Sequence, residues 1–349
     1  MDAQGRQGHD PEGTRPHNLC RLQSGAIGLV YWQRDMSREM SGVYNPDGSV
    51  ADWNQAMFRK STDEACTFSE PVPIAPAHTP AFPTFLIQLV SGRLLVPSEY
   101  AFKQAAQTGR FEMSLCTAFY SDDEGATWIE SADAMFVRED GGATLHFVET
   151  PCVAETADGR LLCFMRNEMQ RLAQSYSVDG GAHWGVTELN SLASSRSEVM
   201  LLRLPSPAAD LLCIWNQTSA AEIRSGFYRS RLSSAISTDS GRTWEHHRTL
   251  VAAAAIGMVA GRVEPTEPPA WLVSSGPVPH DLELIPAEGH SQHRAPRASV
   301  VGDTVFVVWW EALYGRKEDA AESERGWVRL RARQRLRAVP LAWFYGQDE

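Results

Sequence analysis

With 349 residues, 43% hydrophobic content and 21% charged residues, the chain has enough apolar side chains for one large domain or two ordinary ones. A formal charge of −11 excludes a nucleic-acid surface and an anionic membrane as partners. It leaves small anionic ligands open, because a local basic pocket can survive inside an acidic whole.

The opening MDAQGRQGHDPEGTRPHN is polar, with no apolar core of a signal peptide or anchor. Residues 1–17 are expected to be a disordered N-terminal segment, and the simplest compartment is the cytoplasm. Short apolar runs bounded by Gly or Asp then follow in order, and their length favours buried strands over helices. They are 26-AIGLVYW-32, 92-GRLLVPSEY-100, 115-LCTAFYS-121, 158-DGRLLCFMRN-167, 172-LAQSYS-177 and 211-LLCIWNQ-217. Six cysteines (Cys20, Cys66, Cys116, Cys152, Cys163, Cys213) lie far apart without a CxxC pair and read as buried free thiols.

Between these runs one eight-residue word recurs. It stands as 121-SDDEGATW-128, 177-SVDGGAHW-184 and 237-STDSGRTW-244, with 61-STDEACTF-68 as a worn copy. The starts are separated by 60, 56 and 60 residues, a repeat of about 58 residues. Physically the word is a hairpin turn between the third and fourth strands of each unit. Asp123, Asp179 and Asp239 accept backbone N–H bonds, and Gly125, Gly181 and Gly241 supply a positive φ. Trp128, Trp184 and Trp244 pin the turn to its sheet, each worth about 2–3 kcal/mol if fully covered. In the first copy Ala65 and Phe68 replace Gly and Trp, so a looser turn is expected there. A calcium loop would need alternating oxygen ligands and a closing Glu, which the word lacks. No metal site and no cofactor are expected.

Four-stranded antiparallel units repeated in sequence pack as a β-propeller. Four units carry the word. A fifth is visible as 297-RASVVG-302, 304-TVFVVWWEA-312, 326-GWVRLRARQRL-336 and 339-VPLAWFYG-346, whereas residues 251–290 read as no clean blade. The run 250-LVAAAAIGMVA-260 is too short to span a bilayer, which takes about 20 residues.

The S-x-D-x-G-x-T-W word resembles the Asp-box, or BNR, repeat of the sialidase superfamily, and the likeness runs from about Leu19 to the end of the chain. What the resemblance implies is an all-β, six-bladed propeller over 18–346 that binds a terminal sugar at its mouth. It implies an exo-α-sialidase type of glycoside hydrolase with a Tyr nucleophile, a Glu that activates it, an Asp acid/base and three Arg that grip a carboxylate. On that resemblance Glu149 in 147-FVETP-151 takes the place of the relatives' E-P word. Arg166 in 161-LLCFMRN-167 takes that of their M-R-T word, and Arg229, or Arg231, in 226-GFYRSRL-232 that of an Arg before the fourth box. Arg196 and Glu198 in 194-SSRSEV-199, Arg297 and Tyr314 are further candidates for the mouth.

There are departures. An N-N-D-R word expected before 86-LIQL-89 is replaced by 82-FPTF-85, so an Asp and an Arg are absent. The relatives' earlier blade with its early Arg is not matched, and 290-HSQHRAPR-297 stands where a Tyr is expected. His290 and His293 there have a spacing that suits a metal but lack a third ligand. Two other readings therefore stay open: a non-catalytic carbohydrate- or protein-binding propeller, and a glycosidase of other sugar specificity using a pair such as Asp35 and Glu99. A propeller that does not close would also expose blade edges for self-association.

Overall fold

The computed structural model describes residues 15–33, 55–76, 79, 81–103, 111–139, 144–167, 169–206, 208–225, 227, 229–256, 261–265, 291–316 and 327–347. Its first sheet has the order β1 (Arg15–Arg21), β2 (Ile27–Gln33), β3 (Gln55–Ser61) and β4 (Val72–Pro73). The second contains β5 (Ala81–Pro83), β6 (Ile87–Gln88), β7 (Leu94–Lys103), β8 (Phe111–Ser121) and β9 (Ile129–Glu130), with β5 and β6 both paired to β7 as one interrupted first strand. A ribbon of β10 (Val137–Glu139) and β11 (Thr144–His146) precedes the third sheet. That sheet runs β12 (Glu149–Glu155), β13 (Leu161–Arg166), β14 (Arg171–Ser177) and β15 (Glu188–Ala193). The fourth runs β16 (Met200–Arg203), β17 (Leu211–Trp215), β18 (Arg231–Ser237) and β19 (Glu245–Ala252), with a short helix α1 (Ala220–Arg224) before β18. The fifth runs β20 (Ser291–Val301), β21 (Thr304–Arg316) and β22 (Trp327–Pro340), and the helical turn α2 (Leu341–Phe344) follows it.

Among the described residues there are five sheets with the connectivity of propeller blades; six blades were expected over 18–346. Two local expectations are corrected. The stretch 339–346 is no fourth strand: Pro340 ends β22, and α2 then buries Phe344 completely. The strand β1 starts at Arg15, inside the segment expected to be disordered. Contacts divide the chain into two compact units. The first is Met1–Phe136 with Phe147–Pro151 and Tyr176–Val186; the second is Val137–His146, Cys152–Ser175 and Thr187–Glu349.

Central strands read as unbroken apolar runs because both faces are covered. Leu161–Met165 and Leu211–Trp215 are at most 1% exposed. In the first unit, Leu22, Val30, Phe58, Leu86, Leu94, Val96 and Phe119 form a core cluster. Four of the six cysteines are buried, but Cys66 is exposed and Cys20 half-buried; all are free.

The four repeated words fold alike, each between a third and a fourth strand. The first-position Ser hydroxyl donates to the Asp carboxylate at 2.8–2.9 Å and accepts the fifth residue's N–H at 2.8–2.9 Å. The same Asp accepts both the N–H and the side chain of the seventh residue: Thr67, Thr127, Thr243, or the His183 ring. Those bonds hold Asp63, Asp123 and Asp179 at a pKa of about 2, although burial opposes the shift most strongly at Asp179. The first word keeps this whole network, so it is not the looser turn expected; Ala65 simply adopts φ 64°. Gly125 is obligatory for a second reason, since a Cβ there would lie 2.1 Å from the Phe58 ring.

Candidate functional site

In the second unit, the end of β13, the loop before β16, the entry to β18 and a bulge in β20 bring one carboxylate among several arginines. Arg166 is the last residue of β13, and its Nη1 lies 3.3 Å from Glu198 Oε1. Both side chains are about one-fifth exposed, at 17% and 20%. Glu198 reaches this position because Ser195 and Ser197, both buried, turn the loop by hydrogen-bonding to each other.

Arg229 enters β18 with φ 61°, a left-handed conformation costly for a side chain of its size. The cost is met by three fixed contacts. Its N–H donates to Ser195 Oγ, its carbonyl accepts the His293 N–H at 2.7 Å, and its Nε and Nη2 donate to the Arg196 carbonyl at 3.0 and 2.6 Å. Arg196 thus contributes its backbone to the site.

On β20 the register slips between Arg294 and Arg297, with Ala295 at φ 49°. Such a bulge re-aims side chains. Arg294 Nη1 is 3.5 Å from the Tyr314 hydroxyl on β21, and Arg297 donates to the Pro296 carbonyl.

Burial pushes the Glu198 carboxyl up, but Arg166, Arg229 and Arg294 outweigh it and hold the pKa at about 2. Burial lowers the Arg297 pKa, opposed by Cys152 and by Glu198. Glu198 therefore feels all four arginines. Within this group four guanidiniums act on the Glu198 carboxylate, inside a chain of net −11. The second Glu198 oxygen, Oε2, is buried without a hydrogen-bond partner. Chemically, such a cluster can receive a second carboxylate.

Of the residues singled out in the sequence, Arg166, Glu198, Arg229, Arg297 and Tyr314 belong to this second-unit group. Arg231 does not. It is 1% exposed, paired with Glu222 of α1 and bonded to the Gln217 carbonyl, so it braces the helix. Glu149 is buried at the start of β12 and belongs to the first unit. Glu99, also there, accepts the N–H of the adjacent Thr150 at 2.9 Å, where φ is 46°. Asp35 and His290 lie outside the described residues. His293 is buried in β20, and no group of three or more metal-ligating side chains occurs among the described residues. Arg294 was missed by the sequence reading; its signal was the R-x-x-R spacing of 294-RAPR-297 at the mouth of a strand.

Comparison with known proteins agrees with the fold. The BNR repeat-like domain family matches residues 22–275. Human Sialidase-4 is 28% identical over 196 residues, which is 50% of this chain and 31% of that protein, so the chain spans under a third of that relative. A protein of unknown function from Dyadobacter fermentans superposes with a TM-score of 0.56 at 17% identity, covering 85% of this chain and 72% of that one. Trypanosoma rangeli sialidase, in complex with 2,3-difluorosialic acid as a covalent intermediate, gives 0.52 at 13% identity, covering 96% and 45%.

Proposed function

The chain belongs to the BNR repeat-like family of the sialidase superfamily, and from that premise we propose that it is a sialidase-like glycoside hydrolase receiving a terminal anionic sugar at the Arg166–Glu198–Arg229 cluster. The observation that carries this reading is the convergence of four guanidiniums on the ionised Glu198 carboxylate in an otherwise acidic chain. Guanidinium forks hold a carboxylate bidentately, and the partly buried setting strengthens each contact over its value in water.

On this reading Arg166, Arg294 and Arg297 grip the sugar carboxylate, and Arg229, already bound to the Arg196 carbonyl, frames the pocket. Glu198 is too acidic in the free protein to take a proton. An arriving carboxylate would offset part of the arginine charge acting on Glu198, raise its pKa and make it a base. Tyr314, beside Arg294, supplies the hydroxyl for a retaining displacement.

A binding propeller without catalysis is favoured by one specific observation: Arg229 is engaged by a backbone carbonyl before any ligand arrives. Release of a fluorogenic group from an α-sialoside separates the two readings. Turnover that disappears in Arg166→Ala supports the hydrolase. Well-folded protein that binds sialic acid through Arg166 without turnover supports the binding propeller, and absence of both rejects the anionic-sugar reading.

A further inference from the structure

The outer edge of the fifth sheet differs from those of the other sheets. In the first, third and fourth sheets a further strand, β4, β15 or β19, pairs along the third strand, and β9 pairs with β8 in the second. In the fifth, β22 is the third strand, and among the described residues no strand pairs with its outer side. Pro340 ends it and the chain passes into α2 instead.

An edge strand offers unpaired N–H and C=O groups to any extended chain that reaches it. Proteins guard such edges by keeping them short, bulged or broken by proline. The β22 edge has none of these guards over its second half. Arg331–Pro340 pairs with Thr304–Leu313 without a register slip, and the proline is its last residue.

Its side chains alternate. Arg331, Arg333, Arg335 and Arg337 share one face, and Ala332, Gln334, Leu336 and Ala338 share the other. The second set is exposed, Leu336 at 65%. On the first face Glu311 of β21 accepts from Arg333 Nε at 2.7 Å and from Arg335 Nε at 3.0 Å. Arg337 donates to the Leu250 carbonyl at 2.8 Å. The two arginines on Glu311 remain 38% and 39% exposed, and Arg331 is exposed. Each guanidinium carries five donors, more than this carboxylate takes up.

Charge decides which strand fits this edge. A second copy continuing the sheet, β22 against β22, would set arginine beside arginine, and like charges directly opposite are destabilising. A strand with carboxylates at alternate positions turns that repulsion into attraction.

We propose that β22 is the docking edge for an acidic peptide of a partner protein, an extended segment with Glu or Asp at every second position and apolar residues between. The peptide adds to the sheet as one more strand. Its carboxylates lie beside Arg331, Arg333 and Arg335, and its apolar side chains beside Leu336 and Ala338. The proposal does not depend on the sugar-binding reading.

Fluorescence anisotropy with a labelled peptide of about seven residues alternating Glu and Val tests it, with a Lys/Val peptide alongside. The full chain should bind the first and not the second. Arg331→Glu, with its fold checked by circular dichroism, should weaken the acidic peptide about tenfold, the scale of turning neighbouring charge pairs from attraction to repulsion. N-methylation of every second peptide residue removes the donors from one peptide edge, so one of the two phases should abolish binding. Binding kept in both phases, equal binding of the Lys/Val peptide, or an affinity unchanged by Arg331→Glu overturns the proposal. No binding of the acidic peptide up to about 1 mM overturns it too. A dimer of the full chain, read by light scattering, that excludes the peptide assigns the edge to a second copy and likewise overturns it.

Discussion

Replacing Glu198 by Gln removes its carboxylate from the arginine cluster while keeping the side chain's shape. In the folded protein that carboxyl titrates at about 2 because three arginines outweigh the penalty of burial. Set against an ordinary value near 4.5, the shift is worth about 3 kcal/mol of stability at pH 7. The folded pKa lies below the unfolded one, so this stability is whole above about pH 5 and is lost as pH falls toward 2. Wild type should therefore be more stable than Glu198→Gln by about 3 kcal/mol at pH 7 and by roughly half that at pH 3. Urea unfolding followed by far-ultraviolet circular dichroism at both pH values reads the difference. The variant should also bind a sugar carboxylate more tightly, because the carboxylate that competes for these arginines is gone. A stability difference under about 1 kcal/mol, or one that does not shrink with acid, refutes the electrostatic account.

Three further outcomes follow from the packing. Gly125→Ala should cost about 2–4 kcal/mol, from the left-handed φ and the forced displacement of Phe58, whereas Ala65→Gly should gain about 0.5–1 kcal/mol; denaturation midpoints compare them. His293 is held neutral by burial, which outweighs Glu311, and titrates at about 4. Stability due to it is whole above about pH 6.5 and falls by about 3 kcal/mol as pH drops toward 4, so His293→Phe should flatten the pH dependence of unfolding over that window. Arg231→Ala leaves Glu222 without its buried partner and should destabilise the fold by about 3–5 kcal/mol in the same denaturation assay.

The turns were legible in the sequence because each is closed by residues within eight positions. Ser, Asp and Thr oxygens meet N–H and O–H groups of the same word, so the word alone fixes the geometry. What the word did not disclose is that its fourth residue is also left-handed, as at Glu64, Glu124, Gly180 and Ser240. The carboxylate cluster was only partly legible. Arg166 and Glu198 stand 32 residues apart and meet through the end of one sheet and the entry to the next. Arg229 and Arg231 looked interchangeable in 226-GFYRSRL-232, yet the first joins the cluster and the second faces α1, because Arg229 sits before β18 in a left-handed turn at φ 61°, outside the strand alternation that sets Arg231. Arg294 was hidden because a bulge, not a periodic pattern, aims it. The last strand was misread because Pro340 interrupts an apolar stretch that otherwise reads as one more β run.

The Ser–Asp–seventh-residue network of each repeated turn closes within the word itself, so that network needs no neighbouring copy for its shape. Such a turn can be duplicated, eroded or deleted as a cassette, and the first copy demonstrates the tolerance: it has lost both its glycine and its tryptophan and still forms the same set of bonds. The loop ends can drift in number and detail, whereas the faces between sheets, where Gly125 admits the Phe58 ring, change only in concert.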